Sequence, residues 1–88
     1  MRVMVHKRIH ERHPELLDED VLTAYRNSLR YAQRADKDEI EFAGIGTDGR
    51  GRLVEYVAVV LPEGRLLIYH AQTPPAKGML EELGFMKG

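Results

Sequence analysis

The sequence predicts an α+β domain: N-terminal helices and a C-terminal helix packed on one face of a three- to four-stranded antiparallel sheet. Three observations lead to it. Apolar residues recur at helical spacing between Val21 and Ala32, the period changes at Ile40 to short β-rich runs split by glycine turns, and a helical pattern returns after Pro74 and Pro75. All 88 residues form a single domain, with no repeat, low-complexity tract or linker.

Residues 1–5, "MRVMV", suit either a short strand or the lead into a helix. His6 to His13 reads as a short helix closed by Pro14, because the residue before a proline is pushed out of the α region. "LLDEDVLTAYRNSLRYAQRAD" reads as the best helix in the chain. Asp18 is its expected N-cap, Glu19 and Asp20 suit the positive end of the dipole, and Val21, Leu22, Tyr25, Leu29 and Ala32 form its apolar stripe. Arg26, Arg30 and Arg34 follow a different face, and "RADKDE" ends the helix. "IEFAGIG", "RLVEYVAVVL" and "RLLIYHA" read as strands joined by the tight turns "TDGRG" and "PEG", which makes 40–71 an antiparallel meander. The wholly apolar run Val57 to Leu61 suits its central strand. Pro74 and Pro75 then break the sheet, and "AKGMLEELGF" forms a last short helix with Gly84 just past its end.

Composition narrows the function classes. With no cysteine, disulfides and thiolate metal sites are excluded. The longest apolar run is far too short to cross a bilayer, and "MRVMVHKR" lacks the apolar stretch of a signal peptide, so the expected location is cytoplasmic. A formal net charge of −1 exerts no global pull on nucleic acid. Bases nevertheless gather in Arg2 to Arg12, along Arg26, Arg30 and Arg34, and around Arg50 and Arg52, so a locally basic face is compatible with the neutral total.

Three of the 4 histidines lie in "HKRIHERHP", at i, i+4 and i+7, which stacks His6, His10 and His13 along one side of a helix. An i, i+4 histidine pair can grip zinc, but "HERH" is not the H-E-x-x-H spacing and no second set of ligands is patterned, so no metal site is assigned. The remaining histidine, His70, ends the last strand. If the "PEG" turn pairs Leu61 with Arg65, His70 falls opposite Tyr56 on the same face. That pair reads either as acid–base machinery or as plain cross-strand packing, and composition alone favours packing. The arginine stripe reads first as the solvated side of an amphipathic helix, with phosphate contacts as the other reading. "GTDGRGR" is a hairpin turn, because it opens no helix as a phosphate-binding loop would. Lys77 falls in the first turn of a helix starting beside the strand end that carries His70.

Taken together, these segments resemble the BrnT-type toxins, and more widely the RelE-like ribonuclease fold of type II toxin–antitoxin pairs. The resemblance rests on a short His-containing helix before "HPELLDEDV", with His13 ahead of Glu19, Asp20 and Val21. It continues through "EFAGIGTDGRGRLVEYVAVV", matching at Ile45, Gly46, Gly51, Arg52 and Leu53, and through "RLLIYHA" into the last helix. Where BrnT-like chains carry Ser-Ala-Arg-Arg, this one has His70, Ala71, Gln72 and Thr73, so it resembles a divergent member. The resemblance implies a cofactor-free, metal-independent endoribonuclease acting by ribose 2′-OH attack, on free or ribosome-bound RNA. It also implies a cognate antitoxin of ribbon-helix-helix type. On that basis His70 and His13 are the acid–base pair, Tyr56 orients His70, and Arg12, Arg52 and Lys77 hold RNA phosphates. The competing expectation is a non-catalytic interaction domain on the same fold, binding a small protein or forming a homodimer through an open sheet edge. The near-neutral charge and the missing arginines favour it.

Overall fold

The three β-rich runs after Ile40 do form an antiparallel meander, and two further strands widen it. In the computed structural model, which describes residues 2–35 and 38–87, the chain runs β1 (Val3–Val5), α1 (Arg8–Arg12), α2 (Asp18–Arg26), β2 (Ser28–Arg34), β3 (Glu41–Thr47), β4 (Leu53–Val60), β5 (Leu66–Gln72) and α3 (Lys77–Glu82). The sheet order is β1-β5-β4-β3-β2. Only the β1–β5 pairing is parallel, so this is a five-stranded mixed sheet in an α+β fold, not the antiparallel sheet of three or four strands. As expected, β4 is the central strand. Among the described residues no helix is long and apolar enough to cross a membrane.

The long helix expected from Asp18 onward stops at Arg26. Asn27 follows it, and the Ser28 hydroxyl donates to the carbonyl of Tyr25 at 2.6 Å, a local bond that competes with continued helix. Residues 28–34 instead pair antiparallel with β3, which would otherwise present an open edge. Tertiary pairing thus overrides a helical pattern, and Leu29, assigned to the apolar stripe, is exposed. The start of the helix also differs by one residue. Leu17 is the N-cap, and Asp20 reaches back to accept its backbone N–H at 2.9 Å. The end expected in "RADKDE" includes Asp36 and Lys37, which lie outside the described residues.

Helices cover both faces of the sheet, which corrects the single-face packing. On one face Leu16, Val21 and Ala24 pack with Val54, Tyr56, Ala58, Leu66, Ile68 and Ala71. On the other, Met79 and Leu83 of α3 pack with Ala43, Ile45 and Val57. Alternation along β4 separates the two sets, since neighbouring strand residues point to opposite faces. The C-terminus of α3 closes as the sequence suggests. Gly84, at φ 80°, donates to the carbonyl of Glu81 and Phe85 to that of Leu80, a Schellman arrangement.

Close approach of α2 to the sheet depends on Gly46. A Cβ there would lie 1.9 Å from the carbonyl oxygen of Ala24, a backbone atom that cannot rotate away, whereas one on Gly49 would meet nothing within 4 Å. Gly46→Ala is therefore expected to destabilise the fold by about 2 kcal/mol or more, and Gly49→Ala by less than about 0.5 kcal/mol. Urea unfolding of both variants against wild type checks this, and equal midpoints would refute the close contact.

Candidate active site

The site begins with one extra residue in β5. Leu61 donates to the carbonyl of Arg65, as the turn reading required, and Ala58 pairs with Ile68. Between Ala58 and Val57 the register shifts, so that Val57 pairs with His70 and Tyr56 with Ala71. Tyr69 is the inserted residue of a β-bulge, a device that re-aims side chains. Ile68 and Ala71 stay with the α2-side core, while Tyr69 and His70 both open onto the α3 side. A strand without the bulge would set His70 opposite Tyr56.

There His70 meets Glu55, a residue only 3% exposed. Its Nε2–H donates to Glu55 Oε2 at 2.7 Å, and the other carboxylate oxygen accepts the backbone N–H of Ala76 at 2.6 Å. A carboxylate cannot donate, so Nε2 carries the proton, and Nδ1 of the neutral imidazole is left as a base. The carboxylate is thus held from two sides, by the imidazole and by the residue preceding α3. Glu55 was not singled out from the sequence. Its one signal there is a lone acid in a long β run.

His13, at the C-cap of α1, faces His70 with ring centroids 6.5 Å apart and planes at 89°. Both imidazoles are about one-third exposed, at 29% and 34%. Arg8 and Arg12, one turn apart on α1, line the same cleft, together with Arg34, Tyr69, Val57 and Met79. The cleft holds about 480 Å³. Neither Arg8 nor Arg12 forms an ion pair among the described residues, so both guanidinium groups are available to an anion.

Four expectations need correction. Tyr56 does not orient His70. It lies on the α2 side, 2% exposed, where its hydroxyl donates to Ser28 Oγ at 2.8 Å and its ring meets Tyr25 edge-on at 5.5 Å. Burial, more than any neighbouring group, raises its phenol above the ordinary range. Arg52 is outside the cleft and committed: it donates to Asp48 at 2.7 Å, Asp20 at 3.2 Å and the Glu15 carbonyl at 3.2 Å. Those bonds fasten the β3–β4 turn to the start of α2. Lys77 does not line the cleft; its side chain is 77% exposed and 4.0 Å from Glu81. Arg30 and Arg34 form no helical stripe but share one face of β2, turned to α3. Arg30 donates to the carbonyls of Leu83 and Gly84 and stacks over Phe85 at 4.8 Å, and Arg34 bonds Glu82 at 3.0 Å.

The three N-terminal histidines do not act as a row. Nδ1 of His6 accepts the backbone N–H of Arg8 at 3.0 Å, and among the described residues no group of three or more His, Asp or Glu is placed to hold a metal ion. His10 ties α1 to α2 by donating Nδ1–H to the Leu16 carbonyl at 2.7 Å and Nε2–H to Asp18. His13 alone reaches the cleft. No family model, curated protein or solved structure matches this chain. The cleft brings together a carboxylate-oriented imidazole, a second imidazole opposite, and two guanidinium groups with no ion pair among the described residues, a set of groups able to exchange a proton and to bind an anion.

Because both ring nitrogens of His10 donate, the cation is the form that satisfies both acceptors, and its pKa is raised, chiefly by the Leu16 carbonyl and then by Asp18. A raised histidine pKa adds stability that is fully present below about pH 6.5 and is lost as pH rises through the folded value. Thermal melts of wild type and His10→Ala across pH 5 to 9 should therefore show a gap that narrows with rising pH. A gap that widens would contradict the assignment.

Proposed function

We propose that this domain is a RelE-like endoribonuclease. Within that class it is a divergent BrnT-type toxin, cytoplasmic and paired with a small antitoxin of ribbon-helix-helix type. The observation that carries the reading is the His13–His70 pair, 6.5 Å apart across one cleft with Glu55 behind His70. The sequence resemblance supports it independently, because His13 is the histidine that matches the family pattern.

In the proposed reaction, Nδ1 of His70 takes the proton from a ribose 2′-OH, and the oxygen attacks the adjacent phosphorus. The bond from phosphorus to the 5′-oxygen breaks as protonated His13 gives that oxygen its proton. The products are a 2′,3′-cyclic phosphate and a 5′-hydroxyl, so atoms and charge balance without a cofactor. Glu55 holds the His70 tautomer and offsets the imidazolium that forms. Arg12 and Arg8 stabilise the charge growing on the phosphorane oxygens. Lys77 and Arg52 have no part in these steps, although Lys77 remains free enough to meet phosphates further along an RNA strand, or a ribosome.

Purified protein incubated with single-stranded RNA in a chelator should yield 2′,3′-cyclic ends. His70→Ala and His13→Ala should each slow cleavage roughly 10²–10⁴-fold. Glu55→Gln should act mainly on kcat. A folded wild type that leaves RNA intact, or His70→Ala cleaving at the wild-type rate, would end the proposal. The competing reading, a non-catalytic interaction domain or homodimer, is favoured by β2, whose edge exposes Leu29 at 56% and Tyr31 at 66%. It predicts intact RNA and a stable complex that Tyr31→Glu breaks.

A further inference from the structure

The cleft contains one aromatic ring that the cleavage steps do not use. Tyr69 is the bulged residue next to His70, and its side chain lines the cleft because it follows Ile68 on the opposite face of the strand. It is 39% exposed. The ring is not loose. Its hydroxyl donates to Glu41, which also accepts from Arg34 at 3.2 Å, and Arg34 is in turn fixed by Glu82 at 3.0 Å. The phenol cannot serve as a base near neutrality. Burial, and then Glu41, push its pKa up to about 12. Glu41 and Glu82 commit the charge of Arg34, so this part of the cleft offers an aromatic surface in place of the positive charge of Arg8 and Arg12.

We propose that Tyr69 is a nucleobase-stacking platform, so that the cleft takes single-stranded nucleic acid with a phosphate at Arg8 and Arg12 and an unpaired base on Tyr69. This rests on the nuclease reading and adds the residue that receives a base beside the cleaved phosphate. Every base has a π-face, so the platform is tolerant of sequence. A ring already held at its hydroxyl loses little further freedom when a base settles on it. Single strands satisfy both ends of the cleft, because a flexible backbone lets a phosphate and an unstacked base be presented together.

The test uses RNA oligonucleotides in which every ribose is 2′-deoxy or 2′-O-methyl, so that binding is read without cleavage, with 2-aminopurine placed at successive positions. Wild type should quench the fluorescence at one position, and an otherwise identical duplex should bind at least tenfold more weakly. Tyr69→Phe and Tyr69→Trp should keep the quenching. Tyr69→Leu should lose it and weaken binding about tenfold, with the melting transition of each variant confirming that it folds. Unchanged quenching in Tyr69→Leu, loss in Tyr69→Trp despite a folded protein, equal affinity for the duplex, or no binding at all would overturn the platform. A parallel digest of unmodified RNA separates the two readings. Quenching without cleavage ends the nuclease reaction and keeps the platform, whereas cleavage insensitive to Tyr69→Leu keeps the reaction and ends the platform.

Discussion

A carboxylate in the interior of a sheet must be answered on every side, and Glu55 sets that requirement for this fold. Its side chain points from the central strand into the α3 side and is only 3% exposed. Two groups answer it: the imidazole of His70 on the neighbouring strand, and the backbone N–H of Ala76 where the chain enters α3. β4, β5 and the start of α3 are thus joined through this one group. The same contact determines which His70 nitrogen is free, so the packing constraint and the chemistry of the cleft have one origin.

The bulge at Tyr69 is the second condition. A one-residue slip in a strand moves a side chain to the opposite face. Without it His70 would fall on the α2 side opposite Tyr56, away from Glu55. With it, the strand hands two consecutive residues to the α3 side, and α1 supplies His13, Arg8 and Arg12 from across the cleft. Pro14 contributes from the sequence side, since it ends α1 at the residue whose ring must face His70.

Five arginines divide into two groups by their partners. Arg30, Arg34 and Arg52 meet carbonyls or carboxylates and act as internal ties between elements. Asp48 shows how completely such a tie is made. Burial alone would raise its carboxyl, yet bonds from the backbone and side chain of Arg52 and from the backbone of Arg50 bring it below the usual range. Arg8 and Arg12 are left with charge to spare, and this is why a protein of net charge −1 can still present a cationic wall.

Much of this was legible from local chemistry. The meander, its turns, the central place of Val57 to Leu61, and the helix after Pro75 with Gly84 at its end all follow from propensity, period and chain breakers, which act over a few residues. The strand character of Ser28–Arg34, the parallel addition of β1, the bulge, and the pairing of His70 with Glu55 in place of Tyr56 were decided only by tertiary structure. The reason is common to all four. Each depends on which backbone edge or buried charge lies alongside from a distant part of the chain, and on a single-residue shift in register that no local period encodes.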